Sequence, residues 1–225
     1  MSRVIVVTDG GHGFADAAAQ VFALQGDRVA FVSRSGGLPQ DLSGLGILAV
    51  ASGLESEAEV GAAFSTIEGA SGVPQVVIAD QCVTDITSAR GREALLPGGR
   101  GLVGFATHAV QRMAQYDYGR LVIVNGGAPH RRTGDGVAEL VEELALGGAK
   151  YRVTVNAVDA GSELVAPRPT PYYGGVYPPR DSTPGGPADF ADLAFAARFL
   201  AGRGADYITG AVIPVDGGAR LCRSR

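Results

Sequence analysis

The chain has 225 residues, 46% hydrophobic and 19% charged, so it can bury a sizeable core. The net charge of -4 and the pI near 5.4 argue against nucleic acid or an anionic membrane as a partner, because both select a basic face. No apolar stretch reaches the length of a membrane span, and we expect a cytoplasmic protein. Two distant cysteines, Cys82 and Cys222, indicate neither a disulfide framework nor a metal site.

Strand-like and helix-like segments alternate along the whole chain. Short apolar runs predict strands at 4–8, 29–33, 47–51, 75–79, 119–124, 152–158 and 208–215. Apolar positions at helical spacing predict helices at 14–24, 55–68, 102–115, 137–146 and 187–201. This alternation is typical of a single α/β domain, here 1–225, with a doubly wound parallel sheet of about seven strands and helices on both faces.

A glycine-rich turn joins the first strand to the first helix, in the letters TDGGHGFA. Gly10, Gly11, His12 and Gly13 stand where backbone N–H groups and a helix N-terminus bind a dinucleotide pyrophosphate in related α/β folds. Asp9 opposes this prediction, because its carboxylate would repel a pyrophosphate. The turn therefore leaves open whether a dinucleotide binds.

A second candidate site follows the sixth strand. Residues 161–187 form a long loop dense in Pro, Gly and Tyr, and loops of this length in compact domains are usually lids or binding loops. Its aromatic side chains suit an apolar ligand. We predict that the substrate-binding side chains of this loop are Tyr172, Tyr173 and Tyr177.

The segment after the fifth strand carries a histidine beside two arginines. His130 at a helix start is a candidate general acid or base near neutral pH. Arg131 beside it is a candidate partner for an anionic substrate group. The alternative is a solvated loop, since arginine runs are commonly surface features.

Four segments in order resemble the short-chain dehydrogenase/reductases. They are VVTDGGHG at the N-terminus, GRLVIV before Asn125, VTVNAVDAG around Asn156, and DYITGAVIPVDGG near the C-terminus. The last two are the most specific, because they are similar to the RVNAVSPG and YITGQVLxVDGG segments of that family. The resemblance implies a Rossmann-type fold. It also implies that Arg34, directly after the second strand, stands where NADP-preferring members place a basic residue.

The same resemblance shows which family residues are replaced. A catalytic tyrosine and a lysine one turn later are expected, but no tyrosine lies between Gly119 and Lys150, the single lysine of the chain. Counting from either side places His130 and Gly134, or Glu139 and Glu143, at the two positions. The other replaced positions are Asp9 and Ala15 in the turn, Gly53 at the adenine-contacting Asp, ADQC at 79–82 for NNAG, Gly101 at the helix Asn, and Gly126 at the catalytic Ser.

These replacements lead to three interpretations of the function. The first is a degenerate member that no longer performs carbonyl or alcohol redox chemistry and works as a non-catalytic or accessory subunit. The second is a non-redox enzyme, acting by elimination, cyclisation or epoxide chemistry near His130 and the Tyr172–Tyr177 loop, with a weaker similarity to halohydrin dehalogenases. The third is an NADP(H)-dependent oxidoreductase with atypical residues.

The first interpretation carries predictions about partners and cofactors. It predicts no cofactor, with NADP as the alternative, held by Gly10, Gly11, His12, Gly13 and Arg34. It also predicts a homo-oligomer, or a hetero-oligomer with an active paralogue, assembled through the helices after the fourth and fifth strands. A small-molecule ligand is compatible with all three interpretations, and no nucleic acid or membrane partner is expected.

Overall fold

The protein, as a computed structural model, is described here for residues 2–11, 13–80, 97–125, 134–160 and 188–218. Strands and helices alternate as the sequence predicts. The strands are β1 (Val4–Thr8), β2 (Arg28–Ser33), β3 (Leu48–Ala51), β4 (Val76–Asp80), β5 (Gly119–Asn125), β6 (Val153–Asp159) and β7 (Val212–Pro214). The helices are α1 (Phe14–Ala23), α2 (Glu57–Ser71), α3 (Pro97–Ala114), α4 (Gly134–Gly148) and α5 (Phe190–Leu200).

The seven strands form one sheet in the order β3-β2-β1-β4-β5-β6-β7, with every pairing parallel. Val6 of β1 is in register with Ala30 of β2 on one side and Val77 of β4 on the other. Both neighbours of β1 are therefore strands of other βα units, as in a doubly wound sheet. The predicted fold class is confirmed.

The strands are apolar without alternation because helices cover both faces of the sheet. Val4 and Val6 belong to the core shared with α2, α3 and α4, whereas Ile5 and Val7 belong to the core shared with α1 and α5. Successive side chains of a strand point to opposite faces, so β1 supplies both cores. These two cores fix the strand ends that carry the candidate site.

Several element boundaries differ from the prediction by a few residues, and two starts, those of α3 and β7, differ most. Helix α3 begins at Pro97, within a segment that shows no helical periodicity in sequence. Strand β7 covers Val212–Pro214 instead of 208–215, because Ile208 lies in a turn and Gly210 takes a φ of 78°. In the described ranges, no helix has the length and apolarity to cross a membrane.

Candidate functional site

The candidate site lies at the topological switch point of the sheet, between β1 and β4. From β1 the sheet continues through β2 to β3 on one side, whereas β4 to β7 lie on the other. In open α/β sheets the crevice at this switch point, outside the carboxyl ends of the strands, binds ligands. The glycine turn follows β1, and Asp80 is the last residue of β4, so both border this crevice.

The glycine turn keeps the backbone shape that phosphate binding requires. Gly11 and Gly13 have φ angles of 82° and 88°, in the left-handed region that favours glycine. Gly13 is the N-cap of α1 and has no side chain to cap the helix, so the first turn presents backbone N–H groups, of which that of Ala15 faces Asp80. The carboxylate of Asp9 turns back and accepts a hydrogen bond from the Gly11 N–H at 2.8 Å.

Asp80 packs directly beneath this turn. It is 4% exposed, and a Cβ atom on Gly10 would lie 3.0 Å from its Oδ1. Burial raises its pKa to about 7, and the charges of Asp9 and Asp16 add to this, although hydrogen bonds from the Gly10 and Ala15 N–H groups oppose the shift. Its Oδ2 has no hydrogen-bond partner within the described part of the chain.

A third carboxylate lies on the first turn of α1. Burial raises the pKa of Asp16 to about 6, with further contributions from Asp9 and Asp41. Asp9, Asp16 and Asp80 together form what we call the acidic cluster. Asp16 and Asp80 therefore bind protons at higher pH than a free aspartate does, because each is buried beside other carboxylates.

Arg34 stands at the carboxyl end of β2, at the edge of the same crevice. Its guanidinium lies 2.7 Å from Glu55, and the two side chains are 77% and 61% exposed. An ion pair this exposed contributes little stability, so exchanging Glu55 for a phosphate costs little. The adjoining loop is fixed by Ser33, whose Oγ accepts a hydrogen bond from the Gly36 N–H at 3.1 Å.

A pair of polar side chains that the sequence analysis missed lies at the ends of β5 and β6. Asn125 and Asp159 are partners in the register of the two strands, and the Asn125 amide donates a hydrogen bond to Asp159 at 3.1 Å. Both residues end strands that are buried along nearly their whole length. That pattern, a polar residue ending each of two neighbouring buried strands, was the available signal.

Other candidate residues lie away from the crevice. Lys150 precedes β6, at the amino end of the strands, and its ammonium group lies 4.7 Å from the Tyr151 ring centre. His108 packs against the ring of Phe64 at 4.9 Å, and burial lowers its pKa. Neither side chain reaches the carboxyl edge of the sheet.

Several predicted site residues lie outside the described ranges and stay predictions. The structure brings together Gly10, Gly11, Gly13 and Arg34 around one crevice. No group of three His, Cys, Asp or Glu side chains in the described ranges is arranged to hold a metal ion. The undescribed predictions are His12 and the loop 161–187 with Tyr172, Tyr173 and Tyr177, together with His130 and Arg131.

The backbone of the glycine turn and the position of Arg34 fit a bound dinucleotide. Gly10, Gly11 and Gly13 leave the cradle free of side chains, and a Cβ atom on Gly10 would fill the space against Asp80. Arg34 fits a 2′-phosphate by charge and by position. Asp16 and Asp80 oppose a pyrophosphate only to the extent that they are ionised, and their raised pKa values reduce that opposition.

Reductases are similar to this chain over nearly its whole length. The 3-oxoacyl-[acyl-carrier-protein] reductase MabA of Mycobacterium bovis is 27% identical over 240 residues, covering 97% of this chain and 93% of MabA. MabA of Mycobacterium avium is 26% identical over 236 residues, covering 97% and 90%. The crystal structure of YwfH, described as an NADPH-dependent reductase of bacilysin biosynthesis, superposes with a TM-score of 0.71 at 17% identity, covering 96% and 98%. No protein-family model matches the chain.

These relatives correct two predictions. The interpretation as a non-catalytic or non-redox protein is wrong, because relatives aligned over nearly the entire chain are named reductases. The expectation of no cofactor is wrong for the same reason, and YwfH is described as NADPH-dependent. The physical reason is that phosphate binding at such a turn uses backbone N–H groups, which the replaced side chains leave in place.

The likeness covers the same elements in sequence and in fold. It covers 97% of the chain in the sequence comparison and 96% in the structural one, and the doubly wound sheet is of the Rossmann type that the resemblance implies. The weaker similarity to halohydrin dehalogenases finds no support in these names. These whole-length likenesses to named reductases support the resemblance to the short-chain dehydrogenase/reductases.

Proposed function

We propose that the protein is an NADP(H)-dependent oxidoreductase that reduces a carbonyl group. The observation that carries the proposal is the N-terminus of α1, with a glycine at its N-cap, behind a left-handed glycine turn at the switch point of a doubly wound sheet. The names of the whole-length relatives support the reaction class.

The proposal assigns roles to the start of α1, to Arg34 and to the ends of β5 and β6. The N–H groups that follow Gly13 bind the pyrophosphate, and Arg34 binds the 2′-phosphate in place of Glu55. Asn125 ends β5, which pairs with β4, and Asp159 ends β6, the next strand of the sheet; the nicotinamide and the substrate carbonyl would meet near these ends. NADPH supplies the hydride of the reduction.

The proton for the substrate oxygen needs a donor other than a tyrosine–lysine pair. Lys150 lies at the amino end of the sheet and cannot support a phenol at its carboxyl end. We propose His130 as the donor, with Arg131 and the tyrosines of the loop 161–187 holding the substrate. An imidazole has its ordinary pKa near neutrality, which suits it to proton transfer at that pH.

Titration of NADPH fluorescence tests cofactor binding, and Arg34→Ala tests how the 2′-phosphate is held. We expect Arg34→Ala to weaken NADPH binding roughly tenfold, since a charge-assisted hydrogen bond at an exposed site contributes about 1.5 kcal/mol. NADH, which lacks the 2′-phosphate, should bind wild type and variant equally. Glu55→Gln is the matched control and should bind NADPH slightly more tightly, because it removes the competing carboxylate.

Turnover is measured with acetoacetyl coenzyme A, a 3-oxoacyl thioester, by the loss of NADPH absorbance. We expect reduction by the wild type and its loss in His130→Ala, with NADPH affinity kept. A protein that binds neither NADPH nor NADH would overturn the proposal. Equal affinities for NADPH in wild type and Arg34→Ala would overturn the assignment of Arg34.

A further inference from the structure

The carboxyl group of Asp80 is enclosed by the glycine turn. It is 4% exposed, and Oδ1 lies at the position that a Gly10 Cβ atom would contact at 3.0 Å. The backbone N–H groups of Gly10 and Ala15 donate hydrogen bonds to it, while Oδ2 has no partner among the described residues. One oxygen therefore accepts from the turn and the other is enclosed without a donor.

The charged groups that face Asp80 are negative. Asp9 faces it from the turn and Asp16 from α1, and Asp41, in a short 3-10 helix, adds negative charge to Asp16. Burying a carboxylate among carboxylates, away from water, disfavours its charged form. A neutral acid avoids this cost, because Oδ1 keeps its acceptor role and Oδ2 carries the proton.

A pyrophosphate at this turn would compete with an ionised Asp80. It would use the N–H groups at the start of α1, including that of Ala15, and it would add negative charge beside Asp9 and Asp16. When Asp80 is neutral the charge repulsion vanishes, and its carboxyl oxygen competes more weakly for the Ala15 N–H because a neutral acid is a poorer acceptor than a carboxylate. The hydrogen-bond pattern around a neutral Asp80 is also the one that an asparagine would give.

We propose that Asp80 is a positioning residue that must carry a proton for the glycine turn to bind a nucleotide pyrophosphate. This rests on the proposed function, since it concerns the same cofactor site. Binding of NADPH then takes up a proton from solution wherever the free protein has Asp80 ionised. Nucleotide affinity falls as the pH rises above neutrality.

The test is the dissociation constant of NADPH between pH 6 and pH 8.5, for wild type and Asp80→Asn. For the wild type we expect affinity to fall up to about tenfold per pH unit above pH 7, the limit for one linked proton. Asp80→Asn should give a flat profile and the tighter binding at pH 8.5. Parallel titrations with NADH exclude the ionisation of the 2′-phosphate as the cause.

Two controls make the outcome specific. Asp117→Asn makes the same chemical change at an exposed residue with a φ of 50°, outside the crevice, and should keep the wild-type profile. Asp16→Asn removes a neighbouring carboxylate that raises the pKa of Asp80, so it should shift the fall in affinity to lower pH without abolishing it. Calorimetry of the wild type at pH 8 in buffers of different ionisation enthalpy should show uptake of close to one proton per NADPH.

The possible failures are distinguishable. A flat wild-type profile at measurable affinity, no proton uptake at pH 8, or an Asp80→Asn profile that still falls would each overturn the role of Asp80 and leave the proposed function standing. Absence of NADPH and NADH binding by wild type and Asp80→Asn at every pH would overturn the proposed function, and the role of Asp80 with it.

Discussion

Asp80 makes the stability of the free protein depend on pH. Its pKa is about 7 in the folded chain and about 4 when unfolded, so the folded state binds more protons between these values. The stabilising effect of the neutral acid is fully present below pH 4 and is lost as the pH rises to 7. We predict that Asp80→Asn raises the free energy of unfolding at pH 8 by at least about 2 kcal/mol relative to wild type, because one pKa unit equals about 1.4 kcal/mol.

Urea denaturation of both proteins at pH 5 and pH 8 measures this difference. The gain in Asp80→Asn should be much smaller at pH 5, where most wild-type Asp80 is already neutral. Asp117→Asn should change the unfolding free energy little at either pH, since that side chain is exposed. An equal gain at both pH values would assign the effect to packing and contradict this prediction.

The burial of the Asp80 carboxyl could not be predicted from the sequence. The sequence identified Asp9 as a charge in the turn and ADQC as a replacement of NNAG, but it did not reveal that the Asp80 carboxyl is buried. Its burial depends on β4 ending at Asp80 and on the close approach of Gly10, which are contacts between distant segments. The replaced side chains therefore led to the prediction that no dinucleotide binds, although the backbone of the glycine turn keeps the shape that phosphate binding requires.

Two Gly→Ala substitutions, one in the glycine turn and one in α2, test how tightly these elements are packed. In Gly10→Ala the new Cβ atom would meet the backbone oxygen and the carboxyl of Asp80 at 3.0 Å, so the turn must move away from β4. In Gly61→Ala, inside α2, the Cβ atom meets nothing within 4 Å. We predict that Gly10→Ala lowers the unfolding free energy by about 1–3 kcal/mol, the cost of overpacking, and that Gly61→Ala raises it by about 0.5–1 kcal/mol.

Thermal denaturation followed by circular dichroism checks both variants. Gly10→Ala should also weaken NADPH binding, because the displaced turn no longer holds its N–H groups in place, whereas Gly61→Ala should bind as wild type does. Retention of full stability and affinity in Gly10→Ala would show that the turn and β4 are not tightly packed.

Elements with clear periodicity were predictable, and their ends were less so. The strands of the sheet interior and helix α1 follow from apolar patterns that burial on one or two faces imposes. The start of α3 at Pro97 was missed, since Gly98, Gly99 and Gly101 are poor helix formers in isolation. Strand β7 is shorter than predicted because the Asn156 side chain fixes the preceding turn. Its amide N–H donates a hydrogen bond to the Ile208 carbonyl, and its amide oxygen accepts one from the Ala211 N–H.

The whole molecule has a doubly wound parallel sheet of seven strands. This architecture was predictable because alternating βα units permit few arrangements. The pairing of Asn125 with Asp159 was not, because it depends on which strands become neighbours. The predicted oligomer, through α3 and α4, stays a prediction.

Cofactor binding should stabilise the whole fold, because the crevice is built from the ends of several strands and the start of α1. A ligand that binds only the folded state adds about 2.7 kcal/mol at one hundred times its dissociation constant, which for a chain of this size corresponds to a rise in Tm of roughly 5–10 °C. At one fixed NADPH concentration we predict a larger rise at pH 6 than at pH 8, since Asp80 is mostly neutral only at the lower pH. Asp80→Asn should show equal rises at both pH values, and Arg34→Ala a smaller rise at each. Differential scanning fluorimetry with and without NADPH measures these shifts, and a wild-type rise that is equal at pH 6 and pH 8 would contradict the link between proton and cofactor.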